Sequence, residues 1–179
     1  MKSRFPLLPN RSRVDRCVLL RRQFVTVVVS IDFGGDVPLG LRVHHGERDA
    51  SIRTLMARST GTFIKSGRTC VFDREAEQEA GELADALRNR LFQIACKPLS
   101  QRQVQTILDI TSRERLRWGK DGRLPQSGTV RIRKGACEIS LWTYPTAAIE
   151  YLANNPAEIG QWRETDKAIT AIGLNAVLV

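Results

Sequence analysis

No Cys-x-x-Cys pair occurs in this chain, and its only two histidines, His44 and His45, are adjacent. The four cysteines (Cys17, Cys70, Cys96 and Cys137) are widely spread. A zinc site needs ligands at short, regular offsets, so neither a metal site nor a cofactor is expected. Scattered cysteines in a chain with no other secreted character are expected to remain reduced thiols. Long apolar runs are missing too. Nothing approaches the ~20 residues that span a bilayer, and no membrane partner is expected. Met1–Leu20 has Arg and Lys scattered through it, with Pro6 and Pro9, and makes a poor signal peptide. The expected location is the cytoplasm, in association with the nucleoid.

Acid is in short supply. Asp and Glu number 19 against 28 Lys and Arg, a formal net charge of +9. Such a balance favours an anionic partner, nucleic acid before an acidic membrane surface. Apolar residues make up 42% of the chain, enough for a core, which excludes wholesale disorder. A length of 179 residues fits one medium domain or two small ones.

Along the chain, residues 1–23 hold seven basic side chains against one acid and read as a basic, flexible arm. Residues 24–97 read as an α+β region ending in a long connector helix. Phe24–Phe33 is rich in β-branched residues and predicts a buried strand. Leu39–His44 predicts a second strand paired with it, and Gly46–Asp49 a turn. Ser51–Arg58 has helical spacing. Thr62–Ile64 and Thr69–Phe72 predict a hairpin around Lys65–Arg68. Asp73–Cys96 predicts a helix with acid in its first turns, where it suits the helix dipole, and Pro98 ends it. Residues 155–179 read as a C-terminal helix and tail. Asn155 and Glu158 predict its capping box. Ile159, Trp162, Ile169 and Ile172 share a face that serves as a core contact or a dimer seam. A homodimer through this helix or the N-terminal region is therefore an expectation. Leu174–Val179 predicts a short strand.

The most informative stretch is 98–154. Ser100–Gln103 and Thr111–Glu114 are both capping boxes, in which a hydroxyl accepts from the third helical N–H and a Gln or Glu reaches back. Two capped helices about a sharp turn predict a helix–turn–helix. The second helix would present Ser112, Arg113, Arg117 and Lys120 to a major groove, with Leu116 turned back onto Val104, Ile107 and Leu108. Arg115 is offset, towards the phosphate backbone or solvent. Arg102 on the first helix would reach phosphates, and Arg123 follows the second helix. A basic hairpin comes next, with Val130, Ile132, Ile139 and Leu141 inward and Arg131 and Arg133 outward. Lys134 sits near its tip. Trp142 and Tyr144 are expected to close the core beneath it.

The run Thr111–Pro125, with its Leu116-Arg117-Trp118 step and Gly122-Arg123-Leu124-Pro125 exit, followed by a wing and a short helix, resembles the winged helix–turn–helix of the MerR and phage-excisionase superfamily. The resemblance covers about 55 residues. It implies binding of duplex DNA through the second helix and the wing. MerR regulators carry the module at the N-terminus with a coiled-coil helix behind it, and small excisionases lack the residues found here in front, so no sensing role is implied.

The expected class is α+β: a small N-terminal α+β region, a winged helix–turn–helix and a C-terminal helix. The expected function is non-enzymatic binding of duplex DNA, as a transcriptional regulator or a recombination and mobile-element accessory factor. Two rivals stand beside it. The winged helix and basic arm could bind protein or RNA. Alternatively, Asp32 at the end of Val28–Phe33 could anchor the metal of a nuclease or ATPase. Such a site needs further carboxylates on other strands, and an Asx turn accounts for Asp32 more simply.

Overall fold

Val27, Val29 and Ile31 alternate into the interior along β2 (Thr26–Ile31), the central strand of the N-terminal sheet. The computed structural model of the chain describes residues 5–64, 68–135 and 137–177, with backbone alone for residues 134 and 171–177. Lys2, Arg4, the 65–67 tip of the first predicted hairpin and the last two residues of the predicted terminal strand lie outside the described residues. The architecture is α+β. Its contacts divide it into two compact units, Leu7–Pro98 and Leu99–Val179 together with Met1–Pro6.

The first unit is built on a four-stranded antiparallel sheet of order β1-β2-β4-β3, from β1 (Val18–Arg22), β2, β3 (Thr62–Ile64) and β4 (Thr69–Asp73). Helix α1 (Arg11–Asp15) precedes it. Helices α2 (Leu39–Val43) and α3 (His45–Arg58) lie between β2 and β3. A short 3-10 turn, Arg74–Ala76, leads from β4 into α4 (Glu77–Ala95). The stripe Ala80, Leu83, Leu87, Leu91 and Ile94 of α4 is buried. It shares one cluster with Val27, Val29, Ile52, Met56, Cys70 and Phe72, as a helix with one apolar stripe should.

Four expectations change here. The predicted arm is folded from Arg11 onward: α1 and β1 occupy it, and Val18 pairs opposite Ile31. Leu39–Val43 is a helix and not a partner of β2, which pairs with β1 on one side and β4 on the other. Gly40 lets this helix lie close against α4, because a Cβ there would collide with the backbone of Ala95 at the end of α4. The predicted Gly46–Asp49 turn lies inside α3. The strand around Val28 starts at Thr26, leaving Phe24 98% exposed at the turn.

The second unit contains α5 (Gln101–Leu108), α6 (Ser112–Lys120), the hairpin of β5 (Gly128–Lys134) and β6 (Cys137–Thr143), α7 (Thr146–Asn154) and α8 (Pro156–Val177). Leu99 pairs with Tyr144 through two backbone hydrogen bonds of 2.8 and 3.0 Å, which closes the base of the hairpin. Val104, Trp118, Leu124, Tyr144, Ile149 and Leu152 form its interior. Helix α8 continues through the predicted terminal strand as far as Val177. Its predicted capping box is replaced: the Asn155 side-chain amide donates to the Tyr151 carbonyl, and the Tyr151 hydroxyl donates to Glu158.

Candidate nucleic-acid interface

Both predicted capping boxes form. Ser100 Oγ accepts from Gln103 N, and Gln103 Oε1 accepts from Ser100 N at 2.8 Å. Thr111 Oγ1 accepts from Glu114 N, and Glu114 Oε2 accepts from Thr111 N at 2.7 Å. Each box satisfies two N–H groups that a helix start otherwise leaves open. Between the helices Asp109 takes the left-handed conformation, φ 49°, which Asp tolerates better than most residues. The turn is therefore a single tight corner, and α6 begins where the sequence predicts.

The rotation of α6 about its axis differs from the prediction. Trp118 is fully buried and sets the inward face. Arg115, three residues earlier, shares that face and is only 6% exposed. It donates to the Tyr144 hydroxyl at 2.9 Å, so it meets neither phosphate nor solvent. Leu116, predicted to turn inward, is 57% exposed. A buried tryptophan removes more apolar surface from water than a leucine, and α8 supplies the Trp162 ring and the Asp166 carboxylate that receive it; together they fix which arc of the helix faces the core. Ser112, Arg113, Leu116, Arg117 and Lys120 make up the outward arc.

Helix α8 holds α6 in place. Trp162 meets Trp118 edge to face, with ring centroids 5.1 Å apart. Arg163 donates to Glu114 Oε1 and to the Asp109 carbonyl, each at 2.7 Å. Asp166 accepts from Trp118 Nε1 at 2.9 Å, from Arg123 at 2.7 Å and from Arg117 at 3.0 Å. Burial alone would raise the Asp166 carboxyl; the hydrogen bonds from Arg123, Trp118 and Arg117 outweigh it and hold the group below its ordinary value. Arg123 also forks onto Asp121 and reaches the Trp162 carbonyl. It is a structural clamp, not the free DNA contact expected. Gly122 adopts φ +80°, which the chain needs to turn Leu124 back into the core.

Sequence reading missed Tyr144 as the partner of Arg115, and missed Arg163 and Asp166 altogether. A signal existed. A 3.6-residue period running from Ile159 and Trp162 passes through Arg163 and Asp166 as well as Ile169. The helix chose the first set: Ile159 and Trp162 are buried and Ile169 is 61% exposed. The side chain of Ile172 lies outside those described.

In the hairpin, Val130 faces Leu141 and Ile132 faces Ile139 across the ladder; Arg131 faces Ser140 and Arg133 faces Glu138. The alternation is as predicted, but the apolar side is not inside: Val130 is 50%, Ile132 42% and Ile139 38% exposed. Trp142, expected to close the core, is 45% exposed, while Tyr144 is fully buried. Both faces of the ribbon therefore stand in solvent beyond its base. Arg131 reaches Glu138 only at 3.7 Å, with both side chains mostly exposed.

Of the predicted contact residues, Arg102, Ser112, Arg113, Arg117, Lys120, Arg131 and Arg133 are exposed. Arg115 and Arg123 are committed internally, and the side chain of Lys134 lies outside those described. Among the described residues, Arg102, Arg113, Lys120 and Arg133 have no ion-pair partner. Ser112 Oγ accepts from Gln105 Nε2 at 2.6 Å. Between Leu99 and Tyr144 nine basic side chains stand against four acidic ones; from Pro145 onward the balance reverses to two against four. The positive charge of this unit is therefore concentrated on α5, α6 and the hairpin.

In the first unit, Asp32 accepts from the Gly34 N–H at 2.7 Å, the Asx turn expected of it. Among the described residues no three His, Cys, Asp or Glu side chains are grouped to hold a metal, and no helix is long and apolar enough to cross a membrane. A groove of about 540 Å³ runs between α3 and α4, but its charged lining is already paired, Arg90 donating to Glu47 at 3.1 Å. Compared with protein families, curated proteins and solved structures, the chain matches none.

Proposed function

We propose that Leu99–Leu152, braced by α8, is a winged helix–turn–helix that binds duplex DNA without catalysing a reaction. One observation carries the reading. On α6 every side chain that could neutralise a phosphate and is not used by the fold lies on one arc, while the opposite arc closes the core. That arc is the part of a second helix that enters a major groove wide enough to admit it. Arg102 on α5 and Arg131 and Arg133 on the hairpin would contact phosphates on either side. Phosphate contacts of this kind supply affinity, and base edges under α6 supply specificity. Such a protein would work on the nucleoid in the cytoplasm, as a transcriptional regulator or as an accessory factor in recombination.

The test is a shift assay with purified protein on random duplex, single-stranded DNA and RNA at several salt concentrations. Preference for duplex with steep salt dependence is the expected result. Equal or tighter binding to single strands or RNA would sink the reading and favour the RNA alternative; no binding to any of them would favour a protein partner.

A further inference from the structure

We infer that Leu116 is a specificity-determining residue of α6, and that it reads the 5-methyl group of thymine. The inference rests on the duplex reading proposed above.

Leu116 is the apolar member of an otherwise polar arc. Ser112 and Arg113 lie one turn before it, Arg117 beside it and Lys120 one turn after it. At 57% exposure its isobutyl group does little for the fold, because apolar surface stabilises in proportion to the area removed from water. The acids nearest the arc in sequence are turned away: Glu114 is held by Arg163 and Asp121 by Arg123. With Arg117 paired to Asp166, a ligand that covers this arc and uses all of it would offer negative charge to Arg113 and Lys120 and an apolar group to Leu116 between them. A duplex major groove offers both. Phosphates line its two edges, and the thymine 5-methyl is the apolar group that base pairs display on its floor. Arg113 and Lys120 are spaced to span the groove along the helix, which sets Leu116 between them.

The experiment starts from random duplex sequence, so the preferred site emerges from the selection itself. Duplexes bound by the wild-type protein are selected from a randomised library, and the selected pool is amplified twice, once with thymidine and once with deoxyuridine, which lacks only the 5-methyl. Affinity for both forms is measured for wild type, Leu116→Ala and Arg113→Ala. Wild type is expected to bind the thymidine form about fourfold more tightly for each methyl that Leu116 covers. Leu116→Ala, an exposed position whose loss leaves the core intact, is expected to bind both forms alike, at the level of wild type on deoxyuridine. Arg113→Ala is expected to weaken both forms equally and keep the ratio, the double-mutant signature of an independent contact. Equal wild-type affinity for the two forms overturns the inference, as does a ratio that survives Leu116→Ala; either result leaves the duplex reading standing. Failure of any duplex to be enriched also overturns the inference, and the duplex reading falls with it only if the shift assay shows no preference for duplex.

Discussion

Trp118 on α6 donates its indole N–H to Asp166 on α8 across 2.9 Å, with Trp118 fully buried and Asp166 9% exposed. Asp166 is the point at which three side chains from α6 and its exit converge. Asp166→Asn keeps the shape but weakens the two arginine contacts. It is expected to lower stability by about 2 kcal/mol, read as a shift in urea midpoint at neutral pH.

The same residue sets an acid response. Its folded value lies below the ordinary one. Its contribution is therefore complete above the ordinary aspartate value of ~3.9 and is lost as pH falls from there through the lower folded value. Stability of the wild type should fall across that acid range. Asp166→Asn should fall less steeply there, and the two curves should converge at low pH. Parallel curves would show that Asp166 does not titrate differently on folding.

Arg113 and Arg115 are two residues apart and should behave oppositely. Arg115→Ala leaves the buried Tyr144 hydroxyl without its donor and should cost about 3 kcal/mol in thermal unfolding. Arg113→Ala combined with Lys120→Ala removes two exposed charges and should change stability by no more than about 0.5 kcal/mol. Under the proposed function that pair should flatten the salt slope of duplex binding by about 2.

Gly40 and Gly46 make a second contrast, in the N-terminal unit. A Cβ at Gly40 would run into the Ala95 backbone, while one at Gly46 meets nothing within 4 Å. Gly40→Ala should destabilise by about 2 kcal/mol or more, as overpacking does. Gly46→Ala should be neutral or stabilise by up to ~1 kcal/mol, because alanine is the better helix former. Chemical denaturation of both variants checks the sign.

Cysteine labelling reports on both units. Cys137 is exposed on β6, while Cys17 and Cys70 are buried. Burial pushes the Cys17 thiol up, and thiolate is the reactive form. Alkylation of the folded protein should modify Cys137 first and leave Cys17 and Cys70 until unfolding, read by mass spectrometry. If the hairpin lies along duplex DNA as proposed, bound duplex should slow the reaction at Cys137.

Helices with strong local signals were legible in the sequence. The capping boxes of α5 and α6 and the stripe of α4 need only residues three or four apart, so their spacing carries the information. What failed depended on distant partners. Leu39–Val43 has strand-like composition but is helical where Gly40 meets Ala95. Val18–Arg22 looked like part of a charged arm until β2 supplied its ladder. In the candidate site, Leu116 and Trp118 are both apolar and two residues apart, so they cannot share a face. The choice between them was made by Trp162 and Asp166, more than 40 residues away. Arg115 and Arg123 looked like surface cations for the same reason: Tyr144 and Asp166 are distant in sequence.

The fastening of α6 by Arg163 and Asp166 also bears on how this unit could be moved. A fragment ending at Leu152 would contain every exposed cation of the candidate interface. It would also leave the buried Trp118 indole N–H without its acceptor and reduce Arg123 to its Asp121 contact alone. The smallest transplantable segment therefore runs from Leu99, whose backbone closes on Tyr144, through at least Asp166. A fusion partner joined after that residue inherits the interface already oriented, whereas one joined at Leu152 would have to rebuild the surface that α8 supplies.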